Sequence, residues 1–357
     1  MHIRRDLCYT GAVKAPSRVL VVCAALVGFG AGCGGGLQLR PIEGAHRKPS
    51  NVAVFFAVED ADGEPVADLL ATDFHIYEDG SLVSVHESRQ TIVNPEVAAV
   101  HYSLLLVDMS ASVTESDQVT LIADAAAGFV AQVGPHQRLG IYAFDGAAKV
   151  HEITPFTASA QETAKGIERL KAFHAEDPST NLHGAVADAL ETLDQALERD
   201  TTPLRFGTLV VFTDGTDRAA RVSQDDMVKA VNASRHDVFA IGVGAEIDDA
   251  TLSRIGRTGS IRVANAAALK QAFGQIGERI LRLSRRYYLL SYCSPARAGT
   301  HVVTIEAERE GEKGELRYSF DARGFAPDCD ASRPPPFDTS GRSRKAREKM
   351  MAPGAQE

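Results

Sequence analysis

The chain is short of the features that mark most catalytic and several binding classes. It has no Gly-x-Ser-x-Gly turn to raise a serine nucleophile above a sheet. His174 and His183 have no second His or Cys at metal-ligand spacing, which favours surface or capping roles over ligation. No face carries a basic stripe and the net charge is -9 over 357 residues, so a nucleic-acid partner is not expected. No internal repeat of solenoid period is present. The apolar run Val19 to Gly32 is too short to span a bilayer comfortably, and the glycine-rich stretch Gly28 to Gly36 lacks the Lys-Ser/Thr ending of a phosphate loop. What remains is ordinary soluble-protein composition, 44% hydrophobic and 24% charged, in a chain longer than a typical single domain.

Cysteines are also few, and their places are informative. Arg4, Arg5, Lys14 and Arg18 precede the Val19 to Gly32 run, the pattern of an export signal. The run ends in Gly30-Ala31-Gly32-Cys33, which resembles a bacterial lipobox, with Cys33 as the lipidated residue. Of five cysteines, Cys8 and Cys23 leave with the signal and Cys33 carries lipid. Cys293 and Cys329 remain and suit one disulfide in an oxidising compartment. The location implied is a bacterial cell envelope, lipid-anchored and facing the periplasm or cell surface, with plain secretion as the alternative.

The most informative stretch is Leu104 to Ser112, LLLVDMSAS. A buried-strand run ends in Asp108, and Ser110 and Ser112 follow at alternate positions, where their hydroxyls can turn toward a common point. Alone, the spacing serves equally as a serine-rich helix N-cap. Two later segments add oxygen: Ser179-Thr180-Asn181 opens an apolar helical pattern, and TLVVFTDG, Thr208 to Gly215, is a second buried strand ending in Asp214. Hydroxyl, carboxylate and water oxygens around one point suit Mg²⁺ or Mn²⁺, with Ca²⁺ if the shell is looser.

These segments resemble the von Willebrand factor type A domain and its metal-ion-dependent adhesion site over roughly residues 100 to 285. The resemblance implies a metal shell of Asp108, Ser110, Ser112, Thr180 and Asp214, the hydroxyls binding directly and the carboxylates largely through water. It also implies a protein ligand whose acidic side chain completes the shell, and no catalysis. Pro178-Ser179 stands where the family often has Gly-Gly, which bears on Thr180. Two other readings stay open. LLVDMS also resembles the first motif of haloacid-dehalogenase-like phosphohydrolases with Asp108 as nucleophile, although Ser110 stands where that family needs a second Asp. A type A domain whose metal site is purely structural is the third.

Strands over 102–107, 139–144, 149–153, 208–213, 238–243 and 261–264 alternate with helical patterns over 121–133, 182–198, 248–256 and 266–285. That alternation predicts an α/β fold, a mostly parallel sheet with helices on both faces. Apolar runs near 52–58, 74–77 and 82–85, and again at 287–293, 301–307 and 316–320, predict two halves of one small β-sandwich flanking the α/β unit. The expected organisation is a signal peptide over 1–32, a lipid-anchored linker over 33–50, half of the β domain over 51–97, the type A domain over 100–285, the other half over 286–330 and a disordered tail over 331–357.

Overall fold

The computed structural model describes residues 36–67, 69–85, 88–93, 99–115, 118–202, 204–335 and 337. The expected signal segment 1–32 and Cys33 lie outside the described residues, as does 338–357. Among the described residues no helix is long and apolar enough to cross a membrane.

Five strands precede the α/β unit: β1 (Gln38–Arg47), β2 (Asn51–Glu59), β3 (Phe74–Glu78), β4 (Ser81–Leu82) and β5 (Thr91–Val93). The α/β unit runs β6 (Ala99–Asp108), α1 (Ala111–Thr114), α2 (Val119–Val133), β7 (Arg138–Phe144), β8 (His151–Thr157), α3 (Ala160–Lys171), α4 (Leu182–Arg199), β9 (Leu204–Thr213), α5 (Gln224–Ala233), β10 (Asp237–Val243), α6 (Asp249–Ile255), β11 (Gly259–Val263) and α7 (Leu269–Arg285). Three strands close the fold: β12 (Tyr287–Cys293), β13 (Thr300–Arg309) and β14 (Glu312–Asp321).

The central sheet has the order β11-β10-β9-β6-β7-β8, parallel except for β8, which returns antiparallel beside β7. Its middle strands are apolar on both faces because both faces are covered. From β6, Leu105 and Val107 join one core with Phe129 of α2 and Phe273 of α7. Leu104 and Leu106 join another with Leu190 of α4 and Met227 of α5. The chain turns opposite ways from β6, to β7 on one side and, after α4, to β9 on the other. Open sheets place ligand sites beyond the strand ends at such a switch point.

The remaining strands form two four-stranded sheets, β1-β2-β12-β5 and β14-β13-β3-β4. β2 pairs with β12 and β3 with β13, so strands before the α/β unit complete sheets with strands after it. Every residue of β2 is buried. Val52, Val54, Phe56 and Val58 face the second sheet, whereas Ala53, Phe55 and Ala57, with Tyr287 of the neighbouring β12, face Leu204 and Phe206 at the base of the α/β unit. The β3–β4 hairpin turns at Asp79-Gly80, both at positive φ (50° and 80°), the pairing that two-residue hairpins require.

Two expectations about the flanks are corrected. The linker expected over 33–50 contains β1, which pairs with β2 along its length; Pro41 and Gly44 are tolerated because β1 is an edge strand with a register shift between Pro41 and Glu43. The tail expected to be disordered from 331 is held down at its start. Ala331 is buried, Asn51 donates to the carbonyls of Asp330 and Arg333, and Phe337 lies against Phe55. Cys293 and Cys329 are joined in a disulfide that ties this segment to the end of β12. Helices α3 and α5 and strand β5 were not expected from the sequence.

Candidate functional site at the strand ends

The site begins where β6 stops. Asp108 is fully buried beneath the loop that follows. One carboxylate oxygen accepts the Ser110 backbone N–H (3.1 Å), and the other accepts the Thr213 hydroxyl (2.7 Å) at the end of β9. Ser110 occupies the N-cap of α1, yet its side chain makes no capping hydrogen bond. Its hydroxyl instead meets Ser112 Oγ at 3.2 Å, and Ser112 Oγ donates to Asp214 Oδ1 at 3.0 Å. The simple N-cap reading of the two serines therefore does not describe this loop.

Thr180 arrives on a third loop, immediately before α4. Pro178 accepts the Ala111 backbone N–H (3.1 Å), and the Thr180 carbonyl accepts the N–H groups of Arg218 (2.8 Å) and Ala219 (2.9 Å). These bonds clip the Thr180 loop to both the Asp108–Ser112 loop and the segment after Asp214. Thr180 is buried, and among the described residues its hydroxyl has no hydrogen-bond partner. All five sequence-derived residues thus lie on three loops bonded to one another.

The electrostatics are those of acids short of a counter-charge. Burial, and then the charge of Asp214, push Asp108 up to about 7. Burial also raises Asp214, with Glu246 adding to it and Arg218 opposing. Arg218 is itself engaged by Glu246 at 2.6 Å. Among the described residues no group of three or more His, Cys, Asp and Glu could hold a metal. The donor set is instead two carboxylates and three hydroxyls, all oxygen, which excludes a soft-metal site. In a regular octahedron with bonds of about 2.1 Å, neighbouring oxygens stand about 3 Å apart. The Ser110–Ser112 and Ser112–Asp214 separations of 3.2 and 3.0 Å match that spacing, so the residues fit a small hard cation.

Sequence reasoning missed the supports. Thr213 holds Asp108, and nothing in a strand's last Thr announces that. Asp145, read only as turn chemistry, is buried and accepts the N–H groups of Ala147, Glu176 and Asp177 (2.7, 2.7 and 3.2 Å), with His151 Nε2 at 3.2 Å. Those bonds hold the Asp145 carboxyl below the usual carboxylate range despite its burial, and the Asn181 backbone N–H separately binds the Asp145 carbonyl at 2.9 Å. Asp217 accepts the His183 N–H from the other side (3.0 Å). His183 is thereby a part of the α4 start, while its ring faces the Val222 carbonyl (3.2 Å).

An oxygen-rich cluster thus stands at the switch point of an open α/β sheet, where sheets of this kind place their ligand sites. Residues 103–216 match the von Willebrand factor type A domain family, and the chain carries a domain of that family there. Similar solved structures include proximal thread matrix protein 1 from the mussel byssus, also solved with a zinc-occupied MIDAS motif, at 17% identity and TM-score 0.44. That match covers 51% of this chain and 48% of the other, so the chain spans about half the mussel protein's length. A von Willebrand factor type A protein from Catenulispora acidiphila is similar at 12% identity and TM-score 0.44, over 84% of this chain and 75% of that one. Manganese-loaded TRAP protein from Plasmodium vivax is similar at 12% identity and TM-score 0.43, over 67% and 98%. No curated protein matches the chain.

Proposed function

We propose that this protein is a non-enzymatic, metal-dependent protein-binding module. Ser110, Ser112 and Thr180 would hold Mg²⁺, or Mn²⁺ or Ca²⁺, directly, with Asp108 and Asp214 supplying charge from behind. The observation that carries the reading is the run of oxygens from Ser110 through Ser112 to Asp214, beside the fully buried Asp108 and the half-buried Asp214, both with raised pKa. A bound cation leaves net positive charge at an open coordination position, and an acidic side chain of a partner protein is the natural occupant. The envelope location, with Cys33 lipidated, completes the proposal from sequence alone: several acyl chains on one cysteine would anchor the module where partners are met.

Two observations weigh against the phosphohydrolase alternative. Asp108 is fully buried with both carboxylate oxygens hydrogen-bonded, whereas a nucleophile needs an open line of attack. Ser110 also leaves the general acid–base position without a carboxylate. Calorimetric titration of Mg²⁺ and Mn²⁺ into the purified chain and into Asp214→Ala tests the metal reading. Equal binding by both proteins would sink it. Affinity capture from envelope extracts with and without chelator then separates a ligand-binding metal from a purely structural one.

A further inference from the structure

A cavity of about 650 Å³ opens in the β-sandwich, far in sequence from the proposed cation site, where the end of β3 meets the end of β12. Its lining includes the Cys293–Cys329 disulfide. The volume falls within the range of small-molecule sites. Four of its lining side chains are polar and buried: Ser50, Glu78, Ser88 and Ser294.

Glu78 is the unusual one. It is 7% exposed, and its two oxygens accept the Tyr292 hydroxyl (2.7 Å) and the Ser294 hydroxyl (3.0 Å). Both donors are neutral, and the one cationic influence recorded on Glu78 among the described residues is at longer range, from His301, whose pKa the Glu78 charge helps to raise. A buried carboxylate is expected to be paired, and each of its oxygens can accept a further hydrogen bond. Its neighbour Asp79 is already matched. His301 Nδ1 lies 2.6 Å from Asp79 and Nε2 lies 2.8 Å from the Ala298 carbonyl, so both ring nitrogens face acceptors and the imidazolium is favoured. Arg89 and Arg297 stand exposed on the lining; among the described residues their hydrogen bonds go to backbone carbonyls, those of Cys329 and of Ser294 and Ala296, and Arg89 also acts on the Asp330 carboxylate. Asp328 adds one exposed carboxylate there. Arg89 and Asp328 both hold positive φ (49° and 73°), a conformation that costs energy in non-glycine residues and gathers at functional sites.

We propose that this cavity binds a small zwitterion of the amino-acid type, its ammonium group on Glu78 and its carboxylate on Arg89 or Arg297. A simple anion meets the Glu78 charge, and a simple amine leaves both guanidinium groups unanswered. Only a ligand carrying both charges satisfies the inner and outer groups together.

The test is calorimetric titration of the purified chain with the common free L-amino acids, with ethylamine as the cation alone and acetate as the anion alone, all at millimolar concentration. At least one amino acid should bind, about tenfold or more tightly than ethylamine or acetate. Glu78→Gln, which keeps the side-chain shape, should weaken that binding by about tenfold or more. Arg297→Gln, an exposed change that leaves the core alone, serves where Glu78→Gln unfolds the sandwich, and should weaken it several-fold. Absence of heat from every amino acid overturns the proposal. So does equal binding of ethylamine or acetate, or unchanged affinity in both variants.

Discussion

Phe206 near the base of β9 and Tyr287 at the start of β12 stack with ring centroids 4.3 Å apart and planes 16° from parallel. His101 stacks on Phe206 (5.2 Å) and Phe55 on Tyr287 (5.6 Å), so four rings join the α/β unit to the sandwich. Tyr287→Ala should cost about 3 to 5 kcal/mol, the range for removing a large buried aromatic. Chemical denaturation followed by two probes, one near each unit, should show a single transition in the wild-type protein. Separate transitions would mean that the rings touch without coupling the units.

The same joint predicts an acid sensitivity. Burial lowers His101 from its ordinary 6.5 to about 4. In that window the unfolded chain binds a proton that the folded chain does not. Stability should therefore fall as pH drops from 6.5 toward 4, by about 1.4 kcal/mol per pH unit from this residue. His236, lowered by burial as well, acts in the same direction. Denaturation curves of the wild type and of His101→Phe, which keeps the ring, should differ in slope over that window. Parallel curves would remove His101 from the account.

Thr213 supplies one of the two hydrogen bonds that hold Asp108. Thr213→Val keeps the side-chain shape and leaves the carboxylate short of a donor, at a cost of about 1 to 3 kcal/mol. Mg²⁺ affinity should fall by about ten- to a hundredfold, as expected for a residue that orients a ligand. A thermal-shift titration with Mg²⁺ reads both effects. Unchanged metal response would place Asp108 outside the cation's reach.

Wild-type protein at a hundred times the dissociation constant of Mg²⁺ should gain about 2.7 kcal/mol from binding, and Asp214→Ala should gain little. The comparison needs only thermal unfolding with Mg²⁺ or with chelator. A gain preserved in Asp214→Ala moves the cation elsewhere.

Reducing the Cys293–Cys329 bond opens a loop of 36 residues in sequence. The chain-entropy relation gives a loss of about 4 kcal/mol. The Cys293→Ser, Cys329→Ser double variant should match the reduced protein in denaturant midpoint. A midpoint equal to that of the oxidised protein would show the strap to be held by its other contacts alone.

The grouping of the candidate residues was legible because they follow strand ends: a buried apolar run fixes the direction of Asp108 and Asp214, and alternate serines after it share a side. Thr180 was legible only together with those runs. Thr213 and Asp145 were not, because their partners lie 105 residues away in one case and on the backbone in the other. β2 read as a strand, but its alternating faces looked alike since both are covered. α3 and α5 carried signals that pass easily for loop chemistry, Ser159 and Ser223 each capping the N–H three residues on. β1 hid behind Pro41, Gly44 and its charges, the mixture that suits an edge.

β6 and β9 each run ten residues, one from near His101 to Asp108 and the other past Phe206 to Thr213. From the aromatic joint each therefore runs about 23 Å to the candidate cation site. If a partner grips the cation end while the sandwich is held, tension runs along the strand axes. The ladder between β6 and β9 is then loaded in shear, its hydrogen bonds sharing the pull instead of parting one after another. Under that load the domain would act as a tension member, with the grip at one end and the held sandwich at the other.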